Sequence, residues 1–194
     1  MNNQRKDQNT SLRSGERQIR TKLDDIEINH IKRYEEALQY IGTNDTVADL
    51  CCGIGYGSNI MSNKAKSVIG MDDSKETIDF ANLHWKRDNI TFRCGNVLDF
   101  NTEVDVIVAF ESLEHLKDDQ AYANVMKKYA KKRIIISVPE ISVPLSKSHF
   151  HWRHYTNESL TTLFVDENWD IEKIYNPVYN KGKAIWVCFK RINK

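Results

Sequence analysis

Short apolar runs alternate along this chain with amphipathic stretches of helical spacing. Val47-Ala48-Asp49-Leu50, Ser67-Val68-Ile69-Gly70-Met71-Asp72-Asp73, Ile90-Thr91-Phe92-Arg93-Cys94 and Val104-Asp105-Val106-Ile107-Val108-Ala109-Phe110 read as strands. Arg133-Ile134-Ile135-Ile136-Ser137-Val138-Pro139 shows no alternation, as a strand covered on both faces of a parallel sheet requires. Between these runs, Tyr122, Val125, Met126 and Tyr129 fall at helical spacing and predict a helix from about Asp118 to Ala130. Another helix is expected to begin at Thr156, a good N-cap, and to end before Trp169. Two closing strands are expected over Trp169–Ile174 and Lys183–Ile192. Upstream, a helix is expected over 24–41, with Asp24 and Glu27 as a capping box. Ile28, Ile31, Leu38 and Ile41 form its apolar stripe, and Gly42 stops it. Residues 1–13 are polar and expected as a disordered tail, leaving residues 14–194 as a single α/β domain.

The first strand runs straight into Cys51-Cys52-Gly53-Ile54-Gly55-Tyr56-Gly57-Ser58, with glycines at alternate positions. Glycine lets the backbone turn sharply and come close to a ligand, because no Cβ intervenes. The spacing differs from a dinucleotide fingerprint, and the Gly-Lys-Ser/Thr ending of a phosphate loop is absent. With Asp49 preceding the first glycine, the stretch resembles motif I of the class I S-adenosylmethionine methyltransferases. That resemblance implies a Rossmann-like fold, a seven-stranded mostly parallel sheet with helices on both faces, and S-adenosylmethionine as cofactor. It covers the chain from about residue 14 onward.

The same resemblance orders the rest of a cofactor site. Asp72 stands at the second strand's end, where Rossmann-like folds carry an acidic residue for the ribose about 20 residues past the glycines. A carboxylate accepts from two vicinal hydroxyls. Asp73 is expected to cap the next helix, with Glu76 completing a capping box. Gly95-Asn96-Val97 stands where the family has Gly-Asp-Ala; Asn96 keeps an acceptor for the adenine amino group, and Val97 would pack on the ring. The implied cofactor-binding set is Asp49, Cys51, Gly53, Gly55, Tyr56, Gly57, Asp72, Asp73, Asn96, Val97, Phe110, Glu111 and Arg33. Ser14-Gly15-Glu16-Arg17 and His30-Ile31-Lys32-Arg33-Tyr34-Glu35-Glu36-Ala37 resemble the opening of a bacterial and viral methyltransferase group, often found beside glycan-modifying enzymes. Arg33 would then face the methionyl carboxylate; the alternative is a solvated charge on an exposed helix face.

Methyl transfer from a sulfonium is an in-line displacement that needs mainly positioning, and an oxygen nucleophile gains further from a base or a metal. The catalytic candidates are Glu114 and His115, at the fourth strand's end, and His151 and His154, in His149-Phe150-His151-Trp152-Arg153-His154-Tyr155. Glu111, Glu114, His115 and His151 together resemble the metal set of small-RNA 3′-end 2′-O-methyltransferases and of ubiquinone-biosynthesis O-methyltransferases. Many methyltransferases carry Glu-His here without a metal, and none is expected in this chain. The expected acceptor is a small molecule or a sugar, through oxygen. The alternatives are a metal-assisted RNA ribose 2′-O-methyltransferase and a non-catalytic cofactor-binding module.

Composition adds bounds. The net charge of +1 has both signs interspersed and does not call for a nucleic-acid partner. No apolar run reaches membrane-spanning length, and the N-terminus is polar rather than a signal peptide. The four cysteines contain no Cys-x-x-Cys pair and are expected as buried reduced thiols. A cytoplasmic monomer or homodimer is the plain expectation.

Overall fold

The computed structural model describes residues 17–142, 150–179 and 182–192. Its elements are α1 (Ile28–Ala37), β1 (Thr46–Leu50), α2 (Tyr56–Met61), β2 (Ser67–Asp72), α3 (Lys75–His84), β3 (Ile90–Cys94) and β4 (Val104–Phe110). They continue with α4 (Asp119–Tyr129), β5 (Ala130–Pro139), α5 (Asn157–Phe164), β6 (Trp169–Tyr175), β7 (Val178–Tyr179) and β8 (Gly182–Arg191). The sheet runs β3-β2-β1-β4-β5-β8-β6, with β1 to β5 parallel and β8 antiparallel to both its neighbours. Seven strands lie on this path as expected, and the two-residue β7 pairs with β8 beside it.

Two apolar layers explain the unbroken strand patterns. Ile134, Ile136 and Val138 of β5 pack on one face with Tyr122 and Met126 of α4 and with Leu160 and Phe164 of α5. Ile135 points the other way, among Tyr34 and Ala37 of α1, Ile60 and Met61 of α2, and Ile78 and Ala81 of α3. Successive side chains of one strand therefore enter different cores, so both must be apolar. The sheet order also fixes the site. From β1 the chain builds β2 and β3 on one side and then returns to place β4 on the other. Open α/β sheets bind ligands beyond the carboxyl ends of the strands at this reversal.

Three sequence expectations need correction. The N-terminal helix is shorter than 24–41: 3-10 turns at Leu23–Asp25 and Leu38–Tyr40 bracket α1, and no capping box forms at Asp24 and Glu27. Of the expected stripe, Ile28 is 60% exposed, whereas Ile41 is buried and Ile31 and Leu38 pack against the same core, beside the buried Arg33, Tyr34 and Ala37. α3 is capped by Ser74, whose Oγ accepts from the Thr77 N–H, so Asp73 is released from that role. Cys94 is exposed rather than buried; all four cysteines are free. No helix among the described residues is long and apolar enough to cross a membrane. Residues 1–13 and the Ser14-Gly15-Glu16 element lie outside the described residues.

Candidate active site

The three loop glycines have three different jobs. Gly53 sits at φ +53°, and a Cβ built there meets nothing within 4 Å, so a side chain would project into open space at the switch point. At Gly55, φ +93°, a Cβ would stand 2.6 Å from Phe92 Cζ and 2.9 Å from Ala81 Cβ; here glycine lets the loop lie down on β3 and α3. At Gly57 a Cβ would fall 2.0 Å from Tyr34 Cζ, so this glycine admits α1 against α2. Of the three loop glycines in the expected cofactor-binding set, Gly53 is the one whose missing Cβ faces open space.

Asp49 lies beneath the loop, at 0% exposure. Ser58 Oγ donates to its Oδ2 at 2.7 Å and Tyr34 Oη to its Oδ1 at 3.5 Å, so the carboxyl ties α1 and α2 to β1. Burial raises it from an ordinary 3.8 to about 7, against the lowering effect of these donors. The folded state therefore prefers the neutral acid. That contribution to stability is complete below pH 3.8 and lost as the pH rises through about 7. Asp49→Asn keeps the size and removes the charge. Its thermal midpoint relative to wild type is expected to rise between pH 5 and pH 8 by roughly 4 °C or more. Calorimetric scans at the two pH values check this, and a pH-independent difference contradicts it.

Along the next strand tips, Asp72 accepts from the Gly53 N–H at 3.0 Å and from the Ser74 N–H at 3.1 Å, joining the loop to the turn after β2. Arg17 adds a third donor to Asp72, at 3.1 Å, and stands 3.9 Å from Asp73. Asn96 is exposed, and its Oδ1 accepts from the Leu98 N–H at 2.9 Å. Val97 is buried in the core with Leu50 and Met71.

Two non-glycine residues among those described have positive φ: Cys51 at 60° and Glu111 at 48°. They end β1 and β4, the strands that bound the reversal, and such backbone strain concentrates at ligand sites. Glu111 is held firmly there. Ser137 Oγ donates to its Oε1 at 2.8 Å, its own N–H donates to the Ser137 carbonyl at 2.9 Å, and Arg33 Nη1 stands 3.6 Å from the same Oε1. Arg33 is 6% exposed, so it is no solvated surface charge. The ring of Phe110 packs edge-on against Tyr34 at 4.9 Å, and Tyr34 against Tyr56 at 5.7 Å. The Tyr56 hydroxyl meets His30 Nδ1 at 3.0 Å. Together these form an aromatic wall from α1 to the end of β4.

The remaining candidates gather in a second cluster of their own. Glu114 is fully buried in a 3-10 turn, Leu113–His115, and its carbonyl accepts from the Trp152 N–H at 2.8 Å. His115, half-buried, places Nε2 at 4.0 Å from Glu114 Oε1 and packs edge-to-face on His151 at 4.8 Å. His151 Nδ1 lies 2.7 Å from His154 Nε2, so one ring donates while the other accepts. Ligand-capable atoms of Glu114, His115 and His151 fall within 4.8 Å of one another, a group that could hold a metal ion. Glu111 is not in that group; the four-residue set suggested by the sequence is divided between two clusters.

The segment carrying His151 and His154 is held against the rest of the fold. Both imidazoles are buried. Arg153 pairs with Asp119 at 2.6 Å, and Tyr155 Oη donates to the Leu113 carbonyl at 3.3 Å. The Ile141 N–H and the Pro139 carbonyl bond the Tyr155 backbone on either side. His149 and the rest of 143–149 lie outside the described residues.

Sequence reasoning assigned no role to Ser58, Ser137 or Arg17, because each acts across 9, 26 or 55 residues, beyond any local pattern. Ser58 lies within the glycine-loop motif, Arg17 closes the Ser14-Gly15-Glu16-Arg17 element and Ser137 lies in the fifth strand, but none of these patterns names its partner.

Residues 41–182 match the family described as a methyltransferase domain. A "Probable S-adenosylmethionine-dependent methyltransferase" of Mycolicibacterium smegmatis is 28% identical over 151 residues, 71% of this chain and 57% of that protein. The ubiquinone biosynthesis O-methyltransferase of Pelagibacter ubique is 29% identical over 111 residues, 55% of this chain and 46% of that protein. The chain thus spans about half the length of these curated relatives. Among solved structures, the magnesium protoporphyrin IX methyltransferase of Synechocystis PCC 6803, with bound S-adenosylhomocysteine, superposes with a TM-score of 0.75 at 15% identity. That match covers 92% of this chain and 90% of the other. An N-methyltransferase of Bradyrhizobium japonicum gives 0.73 at 14%, covering 86% and 87%. These likenesses establish the class I, Rossmann-like fold. With the family match extending over most of its length, the chain belongs to the methyltransferase-domain family.

Proposed function

We propose that this chain is a S-adenosylmethionine-dependent methyltransferase acting on a small-molecule or glycan hydroxyl. The described crevice fits the cofactor in its own terms. Gly53 leaves open space where a Cβ would intrude, Asp72 offers a carboxylate at the β2 tip, and the Arg33–Glu111 pair provides charge at the β4 tip. Asp72 would hold the ribose, Asn96 the adenine edge, and Arg33 the methionyl carboxylate. When bound, S-adenosylmethionine supplies an activated sulfonium methyl for in-line displacement.

The observation that carries the reading of an oxygen acceptor is the half-exposed His115 beside the buried Glu114 carboxylate, at the edge of the crevice. His115 would take the proton of the acceptor hydroxyl and so make its oxygen the nucleophile. Glu114 stabilises the imidazolium that forms, an opposite charge favouring the protonated ring. His151 and His154 position His115 through the ring contact at 4.8 Å and the hydrogen bond at 2.7 Å behind it. A coupled assay of S-adenosylhomocysteine release against a panel of sugar, phenol and amine acceptors tests the reading. Turnover confined to amines removes the oxygen acceptor, and binding without turnover on any class favours a cofactor-binding module.

The grouping of Glu114, His115 and His151 favours one second reading, a metal-assisted transfer to a hydroxyl, the ribose 2′-hydroxyl of RNA included. One carboxylate and two imidazoles suit Mn²⁺, Fe²⁺ or Zn²⁺ better than Mg²⁺. Under the base reading, activity is expected to survive exhaustive chelation within about twofold, since a base alone supplies the 10²–10⁴-fold that proton transfer contributes. Loss on chelation with rescue by a divalent ion would replace the base by a metal.

A further inference from the structure

Asp72 has more donors than the cofactor's ribose can share. A carboxylate offers roughly four lone-pair sites. Three donors reach this one: the Gly53 N–H on Oδ2, and the Ser74 N–H and Arg17 Nη2 on Oδ1. Two vicinal ribose hydroxyls need two sites, and one is left. One donor must therefore leave when the ribose binds. The Gly53 and Ser74 amides are fixed by the turns after β1 and β2, each continuing into helical structure. Arg17 is a side chain, 22% exposed, on the segment that leads to α1. It is the donor that can move, and Asp73, 3.9 Å from the same Nη2 and 46% exposed, offers the guanidinium a nearby second partner.

From this count we propose that Arg17 is a built-in competitor for the cofactor's ribose. In the free protein it closes the Asp72 carboxylate; on binding it yields that place to the ribose hydroxyls and turns towards Asp73 and solvent. This rests on Asp72 being the ribose carboxylate. The segment is tied back at Gln18, next to Arg17, whose Oε1 accepts from the Glu27 N–H at 2.9 Å immediately before α1, so the backbone stays in place and the Arg17 side chain is the part that swings. α1 carries Arg33, so the two charged ends of the crevice are governed by one N-terminal element. Because the pair is partly exposed, its competition is modest and sensitive to salt.

The test is titration of S-adenosylhomocysteine into the full chain and into Arg17→Gln at two ionic strengths. Arg17→Gln is expected to bind about threefold to fivefold more tightly at low salt, the range set by a partly exposed ion pair. Wild-type affinity should rise with salt and approach that of the variant, whose own affinity should not rise. Trypsin cleavage after Arg17, Arg20 or Lys22 should quicken when wild type is saturated with S-adenosylhomocysteine. Weaker binding by Arg17→Gln would show that Arg17 holds the cofactor and would overturn the proposal, as would equal affinities at both salt concentrations. No binding by wild type at all would overturn both this proposal and the cofactor reading beneath it.

Discussion

Gly53→Val is expected to abolish S-adenosylhomocysteine binding while leaving the fold in place. A Cβ at this position meets no protein atom within 4 Å, so the isopropyl group enters the crevice and not the core. The affinity loss should be about a hundredfold or more, equivalent to about 2.8 kcal/mol. The cost to the fold is confined to the backbone. At φ +53° a residue with a Cβ carries roughly 1–2 kcal/mol of strain, which lowers the thermal midpoint by about 2–8 °C in a domain of this size. Gly57→Val is the control. Its Cβ would fall 2.0 Å from Tyr34 Cζ, so it should unfold the α1–α2 interface. Calorimetric titration and thermal scans separate the two. Unchanged affinity in a folded Gly53→Val protein would remove the glycine loop from the cofactor site.

His115→Ala is expected to lower methyl transfer to an oxygen acceptor by about 10²–10⁴-fold, the range for a positioned acid–base group. S-adenosylhomocysteine affinity should stay within about threefold, because His115 clusters with Glu114 and His151 rather than with the Arg33–Glu111 pair. Glu114→Gln should reproduce much of the loss, since it removes the charge that stabilises the imidazolium while keeping the side chain's size. His154→Ala removes the partner of His151 at 2.7 Å and acts only through position. Its loss should be smaller than that of His115→Ala. Kinetics at saturating cofactor decide the order. Normal turnover in His115→Ala would place the base elsewhere.

Much of this molecule is legible in the chain because its constraints are local. The unbroken apolar run of Arg133–Pro139 follows from burial on both faces, and β1 to β4 stand where the runs predict them. Asp72 stands at the tip of β2, and Glu114 and His115 in the turn after β4, where their strand patterns place them. What the sequence conceals is long-range. Asp49 stands in the motif, yet its partners Ser58 and Tyr34 come from two different helices. The contiguous motif from Glu111 to His115 divides because positive φ at Glu111 turns that side chain towards Arg33 and Ser137. α1 was placed too long because propensity and a capping pattern do not register the 3-10 turns that tertiary packing imposes at both its ends. His151 and His154 stand out in the chain as residue types, but their burial depends on hydrogen bonds from Trp152, Arg153 and Tyr155 to the 3-10 turn after β4, to Lys117 and to the start of α4.

The central claim is that one crevice, at the ends of β1, β2 and β4, holds S-adenosylmethionine beside His115. A crystal structure of the full chain with S-adenosylhomocysteine tests it most directly. The account predicts both ribose hydroxyls on the Asp72 carboxylate, with Arg17 displaced, and the homocysteine end between Gly53 and the Arg33–Glu111 pair. Ligand density away from Gly53 and Asp72, or a crevice still closed by Arg17 at saturating S-adenosylhomocysteine, would contradict it.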